Sequence, residues 1–493
     1  MLPRREVLLL FFLFVVSLPA VTARLYSSDE VEYFSYLRSL WFDRDVSFEN
    51  EYQYFYDHHI AQTPDFHTTF LELETATHHR INYGTIGCAI LWAPFYGAAD
   101  VVARALRAGG RPVVADGYSQ PYLSAVAYGS AFYGFTAIVL SVAAARRLVS
   151  SHAFSSGLAV WFGTPLLFYM YVAPPFSHAC SAFAVALFVT VWLKVRQTWT
   201  VRGAVALGLA AALMAMVREQ DLFCALGPAL DLALTVVKGQ APAARARREV
   251  AERERAGVGS PRAVNKADMA RRFRAALAGC AAFALGYLPQ LIAYQVLNGF
   301  PRPSPLVIRK MSWYSPHALQ VLADPEHGFF LWTPLAILAI SGLIVLVAQP
   351  ADIVDGRAIE ADDVRQVGIC MLVMIALQVY VSGAVESWTV AGAFGQRRFV
   401  AVTIFLVVGL AALRAVARSR AARLVTNVAV LLCVWWNLAL TAEFGTSMMD
   451  RQKLELGRNA YDAFVTLPRT APDLVYRYFT NRSSFYKPAD STR

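Results

Sequence analysis

Apolar and polar positions alternate on a long scale along this chain. Runs of about fifteen to twenty-five apolar residues, long enough to approach or cross a bilayer as helices, recur between short polar stretches. They fall near 121–145, 152–172, 177–195, 203–217, 221–237, 275–297, 329–348, 367–384, 398–413 and 424–443. An N-terminal run, apolar from Val7 and ending at Ala23, brings the set to eleven. The pattern predicts an all-α polytopic membrane protein of about 11 transmembrane helices. The runs 203–217 and 221–237 are short for full spans and read as a pair that turns at Arg218-Glu219-Gln220.

Residues 24–120 break the pattern. Tyr33, Phe34, Leu37, Leu40 and Trp41 recur at helical spacing within Val31 to Phe42, as in an amphipathic helix on a membrane surface. A second stretch, Ile86 to Leu106, is long enough to span, but Pro94, Gly97, Asp100 and Arg104 favour a helix lying in the interface. The first 23 residues, with Arg4 and Arg5 ahead of the apolar run and Ala23 in a cleavage-like context, read either as a signal peptide or as an uncleaved anchor, and the anchor reading is favoured. Either way, Arg24 onward lies on the extracytoplasmic side.

Composition sharpens the class. The 493 residues are 57% hydrophobic and 16% charged, with mean hydropathy +0.42, which excludes a soluble globular chain of this size. The net charge of +10 lies largely in loops, as the positive-inside rule requires, and gives no reason to invoke nucleic acid. Threading the runs alternately puts Arg146/Arg147, the 238–274 loop and Arg414 to Arg423 on the cytoplasmic side; that loop holds eleven Lys/Arg against four acids. The expected organisation is a transmembrane domain over 1–443, with a first outer loop at 24–120, a basic cytoplasmic loop at 238–274 and a short extracytoplasmic tail at 444–493. The six cysteines stand singly and read as small core residues.

The same thread leaves eight of nine histidines at the outer face and almost no ionisable residue inside the spans, Asp231 excepted. Ion-coupled transporters instead hold charge near the midplane. At the outer face, Asp29 and Glu30 could supply a general base and an acceptor-binding carboxylate, or could merely begin a helix, with Asp29 or Ser28 as its N-cap. Arg218 could fork onto a phosphate or snorkel to set helix depth. Arg397 and Arg398 sit at an outer boundary against the positive-inside trend, which suits a phosphate contact; His327 and Glu386 lie at neighbouring boundaries as site-lining candidates. Asp43-Arg44-Asp45 reads as a helix-ending turn rather than a nucleotide-sugar motif. His58, His59, His67, His78 and His79 match no ligand spacing, and a divalent metal is left open.

Taken in order, these segments resemble a known family. Ser28-Asp29-Glu30, Arg38-Ser39-Leu40-Trp41, Asp43-Arg44-Asp45 and Asn50-Glu51-Tyr52 look like the first outer loop of bacterial family 39-like glycosyltransferases. These have the GT-C fold, as do protein O-mannosyltransferases and the aminoarabinose transferase of lipid A. The likeness continues in Tyr83-Gly84-Thr85-Ile86-Gly87, Trp92-Ala93-Pro94-Phe95, Glu326 to Pro334 and Phe394 to Phe399, and covers most of 1–410. The resemblance implies an inverting transfer of a sugar from a polyprenyl-phosphate donor to a lipid, glycan or protein acceptor, at the outer face of a bacterial plasma membrane. It makes Asp29 the general base and Glu30 an acceptor contact. The five first-loop histidines depart from that pattern. A lipid or glycan transporter without bond chemistry is the alternative reading.

Overall fold

The structure is a computed structural model, and the residues described are 3–25, 27–60, 65–149, 151–239, 266–354, 360–390 and 392–485. Most of the predicted basic loop lies outside them. In chain order the helices are α1 (Arg4–Ser17), α2 (Ser28–Arg38), α3 (Glu49–Asp57), α4 (Gly87–Ala108), α5 (Gln120–Leu148), α6 (Ala153–Gly163) and α7 (Leu166–Tyr171). They continue with α8 (His178–Val195), α9 (Val201–Val217), α10 (Leu226–Gly239), α11 (Lys266–Asn298), α12 (Pro305–Arg309), α13 (Ala318–Ala323) and α14 (Phe329–Trp332). The last are α15 (Leu335–Ala348), α16 (Pro350–Val354), α17 (Ala361–Ala384), α18 (Thr403–Val416), α19 (Arg420–Gly445), α20 (Leu456–Tyr461) and α21 (Leu467–Thr480). No strand occurs among the described residues, only the isolated bridges Glu74–Arg80 and Met311–Val385.

Eight helical stretches among the described residues are long and apolar enough to cross a membrane, and α6, α9 and α15 are shorter apolar helices. The chain is therefore an all-α, multi-pass membrane protein. Its helices turn large side chains outward, among them Phe12 and Val16 of α1 and Leu424, Val425 and Leu431 of α19. Without water outside the bundle, close packing and internal hydrogen bonds must hold the helices together. Small residues serve this at two crossings. A methyl group added at Gly208 of α9 would overlap the Gly279 carbonyl of α11, and one at Gly342 of α15 would overlap the Gly409 carbonyl of α18.

Two of the predicted continuous spans are broken at proline. The 152–172 run divides at Thr164-Pro165 into α6 and α7, and the 329–348 run divides at Thr333-Pro334 into α14 and α15. Proline cannot donate the backbone bond its position requires, so the freed carbonyls need other donors. At the first break Asn437 supplies them, its side-chain amide donating to Phe162 O at 2.9 Å and Thr164 O at 3.1 Å. Four cysteines are buried as expected, whereas Cys433 is half-buried and Cys280 exposed.

One end of the bundle gathers the functional candidates. α2 lies there against α4, with Phe34 and Trp41 edge-on to Tyr96. Thr85, just ahead of α4, donates to Val217 O at the last turn of α9, and Asp100 within α4 accepts from Tyr122 at the first turn of α5. Farther along α5, Ser130 accepts from Trp92 and Tyr133 donates to Leu91 O, each at 2.8 Å, so α4 packs lengthwise against the first half of α5, and it counts among the eight helices long and apolar enough to cross a membrane. At the opposite end, Arg146 near the close of α5 pairs with Glu6 at the start of α1.

Candidate functional site

The site begins with the capping of α2. The N-cap is Ser27, not Ser28 or Asp29, and Glu30 is its capping-box partner, accepting the Ser27 backbone N–H at 3.1 Å. That leaves Asp29 and Glu32, three residues apart and therefore on one helical face, turned toward a cavity of about 460 Å³. Glu30 is buried and is not among the residues lining it.

Helix ends from distant parts of the chain close the cavity. His178 comes from the start of α8, Arg218, Glu219 and Gln220 from the turn after α9, and Lys310 from the loop after α12. Arg397 and Arg398 open the two-turn 3-10 segment Arg397–Val402 before α18. Phe223, Val307, Ile308, Met311, Trp313, Val381 and Val385 supply an apolar wall. The space is of ordinary ligand size, mixed in polarity, and set among the ends of membrane helices.

Charge in this cavity is arranged unevenly. Arg397 Nη1 meets Asp29 Oδ2 at 2.7 Å, and its guanidinium lies 5.4 Å from the Phe176 ring centroid. The other two arginines are held by neutral acceptors. Arg218 donates to Nδ1 of His178; since a guanidinium offers no lone pair, that nitrogen must accept and the ring proton sits on Nε2. Arg398, 8% exposed, donates to Ser387 O at 2.9 Å and Ser387 Oγ at 3.1 Å. Lys310 lies over the Tyr83 ring at 4.7 Å. Four cations therefore face Asp29, Glu32 and Glu219.

Of those acids, Glu32 is pushed toward its protonated form. Burial, then the nearby Asp29 carboxylate, pushes its carboxyl up to about 8, although Oε2 accepts the backbone N–H groups of Tyr83 at 2.5 Å and Gly84 at 3.0 Å. Glu219 Oε1 accepts hydroxyls from both Tyr287 and Tyr294 at 2.8 Å. Burial likewise pushes the Glu219 carboxyl up, so the cavity sets four cationic side chains against three acids of which two are pushed toward their neutral forms, an environment that favours an anion.

The remaining candidates fall outside this cavity. His327 is fully buried, stacked on Trp332, and its Nε2–H donates to Ala393 O at 2.9 Å; burial lowers its pKa to about 4, so it is neutral. Glu386 is exposed, and its backbone N–H donates to the Lys310 carbonyl at 2.7 Å, which ties the loop carrying Lys310 to the end of α17. Arg38, Asp43, Asn50 and Glu51, from the segments that carried the family resemblance, form a joint between α2 and α3. Arg38 reaches Glu51 at 3.0 Å and pairs with Asp43, which also accepts from Asn50 at 2.8 Å. No cluster of three or more metal-ligating side chains occurs among the described residues; His67 and His78 instead face Glu72 and Glu74.

Sequence reasoning did not single out His178 or Lys310 as site residues, and it grouped Glu32 with Asp29 and Glu30 as acids at the membrane exit without giving it a role. Glu32 had a legible signal, since it shares a helical face with Asp29. His178 and Lys310 reach the cavity only through tertiary packing. Comparisons with protein-family profiles, with curated proteins and with solved structures return no match. Fold and site together define a multi-pass membrane protein with a cationic cavity at one end of its helix bundle.

Proposed function

We propose that this chain is an integral membrane glycosyltransferase that moves a sugar from a polyprenyl-phosphate donor to an acceptor hydroxyl. Its arrangement would be GT-C-like, with about 11 spans and the cavity on the extracytoplasmic side of a bacterial plasma membrane. The observation that carries the reading is the meeting of Asp29 with Arg218, Arg397 and Arg398 in one cavity that also has an apolar wall. A lipid phosphate is an anion attached to an apolar chain, and this cavity offers a complement to each part. The resemblance of the segments around Asp29 points to the same chemistry.

In this reading the acceptor oxygen attacks the anomeric carbon, the bond from that carbon to the phosphate oxygen breaks, and its electron pair leaves with the phosphate. Asp29 takes the acceptor proton. With Oδ2 committed to Arg397, Oδ1 is the oxygen that would receive it. The guanidiniums stabilise the charge that grows on the leaving phosphate, more in the transition state than in the ground state. Arg218 and Arg398 are suited to this because neutral groups hold them.

Purified protein in lipid nanodiscs, given polyprenyl phosphate labelled in both sugar and carrier together with a membrane extract as acceptor source, is expected to release free carrier phosphate and deliver the sugar label to a new product. Vesicle assays in which the doubly labelled lipid crosses the bilayer intact, with no carrier released, would establish the transporter reading instead.

A further inference from the structure

The C-terminal helices carry an apolar face that nothing in the bundle covers. On α20, α21 and the single π-helical turn between them, Tyr461 is 59% exposed, Phe464 50%, Val475 55%, Tyr476 67% and Phe479 80%. Within α21, at 100° per residue, Val475, Tyr476 and Phe479 fall on one side together with Pro468 and Pro472. Arg469 and Asp473 flank them, and Leu467 and Leu474 face the bundle.

Contacts with α19 fix how deep this segment lies. Trp435 donates its indole N–H to Ala463 O at 3.2 Å, and Ala463 and Leu467 pack on Ala439. Trp435 stands ten residues before Gly445, the last residue of α19, which is about 15 Å along the helix axis. The chain beyond α19 therefore turns back alongside it. A buried hydrogen bond from Asn459 to Glu443 at 2.7 Å holds the return. At the far end of α21, Arg482 donates to Pro19 O at 2.6 Å, to Ala20 O and to Thr22 Oγ1 at 3.1 Å, beside the end of α1. The segment thus bridges two helices, α19 and α1, that both turn apolar side chains outward, and its own exposed face extends that surface.

We infer that residues 461–479 re-enter the lipid at the site end of the bundle and lie in the boundary between headgroups and acyl chains, with Val475, Tyr476 and Phe479 in contact with acyl chains. Lipid is the occupant because the segment is pinned beside the apolar length of α19 rather than above its end, and because its exposed face continues the lipid-facing surface. Its backbone is helical, so most of its N–H and C=O groups are satisfied internally, and the Pro468 carbonyl, which Pro472 deprives of its i+4 donor, needs the headgroup boundary rather than the acyl core. Arg469 and Asp473 sit at the flank, where they reach headgroups and water. The inference rests on the membrane class of the fold and is independent of the reaction proposed above.

Nitroxide accessibility in nanodiscs holding one protein copy tests it. In the full chain with Cys280→Ser and Cys433→Ser, spin labels are attached singly at Val475→Cys, Phe479→Cys, Arg469→Cys and Asp473→Cys. Relaxation at 475 and 479 is expected to respond more to oxygen than to a water-soluble nickel chelate, and at 469 and 473 more to the chelate. Greater response to nickel at both 475 and 479 would overturn the inference. So would dipolar broadening at those sites when two copies share a disc, which would identify a second chain as the occupant. Tyr476→Cys replaces either apolar site if its variant elutes as misfolded protein.

Discussion

Three acids on the first turns of α2 meet three environments, and each predicts a different variant. Asp29 faces Arg397 in the cavity, and Asp29→Asn is expected to lower kcat for transfer by about 10²–10⁴-fold, the usual worth of a general base, with the protein still folded. Glu30 closes the capping box, so Glu30→Ala should cost about 1 kcal/mol of stability, visible as a lower thermal midpoint, while Glu30→Gln preserves both stability and acceptor KM. Glu32 is buried with a carboxyl pushed up to about 8 from 4.5. Its folded form binds a proton more tightly than its unfolded form. Stability is therefore full below about pH 4.5 and is lost as pH rises through about 8. Glu32→Gln should remove that loss, so that thermal midpoints of variant and native protein diverge progressively over this window. The Asp29-Glu30 pair was legible in the sequence as chemistry or as a cap, and the structure divides it, with Glu30 in the cap and Asp29 lining the cavity. What the sequence could not supply was the phase of the helix. Placing the N-cap at Ser27 decides which acids face inward, and a shift of one residue would have turned them away.

At the scale of elements, most membrane helices could be read from apolar length alone, because an apolar run of bilayer length has little choice but to be helical. The two prolines mark where that reading was too coarse. Pro165 and Pro334 each end a helix that hydropathy treats as continuous, and the repair by Asn437 comes from a residue more than 270 positions away. Likewise, a glycine in an apolar run gives no sign of whether another backbone rests on it. Gly342 of α15 lies against the Gly409 carbonyl of α18. Gly342→Leu should therefore destabilise by about 1–3 kcal/mol through overpacking, read as a lower thermal midpoint in detergent. Gly457, with nothing within 4 Å of an added methyl group, should accept alanine with little change.

On the scale of the whole molecule, the site is a product of convergence. Residues 29, 178, 218, 310, 397 and 398 come from five helix ends that only the assembled bundle brings together. Boundary arginines hinted at this, because Arg397 and Arg398 run against the charge bias of their neighbourhood, and Arg218 sits at a short turn. His178 gave no such hint, being one polar residue at the start of an apolar helix. The cationic balance of the cavity predicts that Arg218→Ala, Arg397→Ala and Arg398→Ala each weaken the binding of a polyprenyl phosphate without sugar. Arg398→Lys should restore only part of the affinity, since an ammonium lacks the planar fork.

The central claim is that the cavity binds a lipid phosphate through its arginines and removes an acceptor proton through Asp29, two roles that one comparison separates. Native protein and Asp29→Asn are placed in nanodiscs with labelled polyprenyl-phosphate sugar, and bound donor and released carrier phosphate are measured together. The account predicts that the variant binds donor within a few-fold of the native protein and releases almost no carrier. Carrier release by Asp29→Asn at the native rate would contradict it.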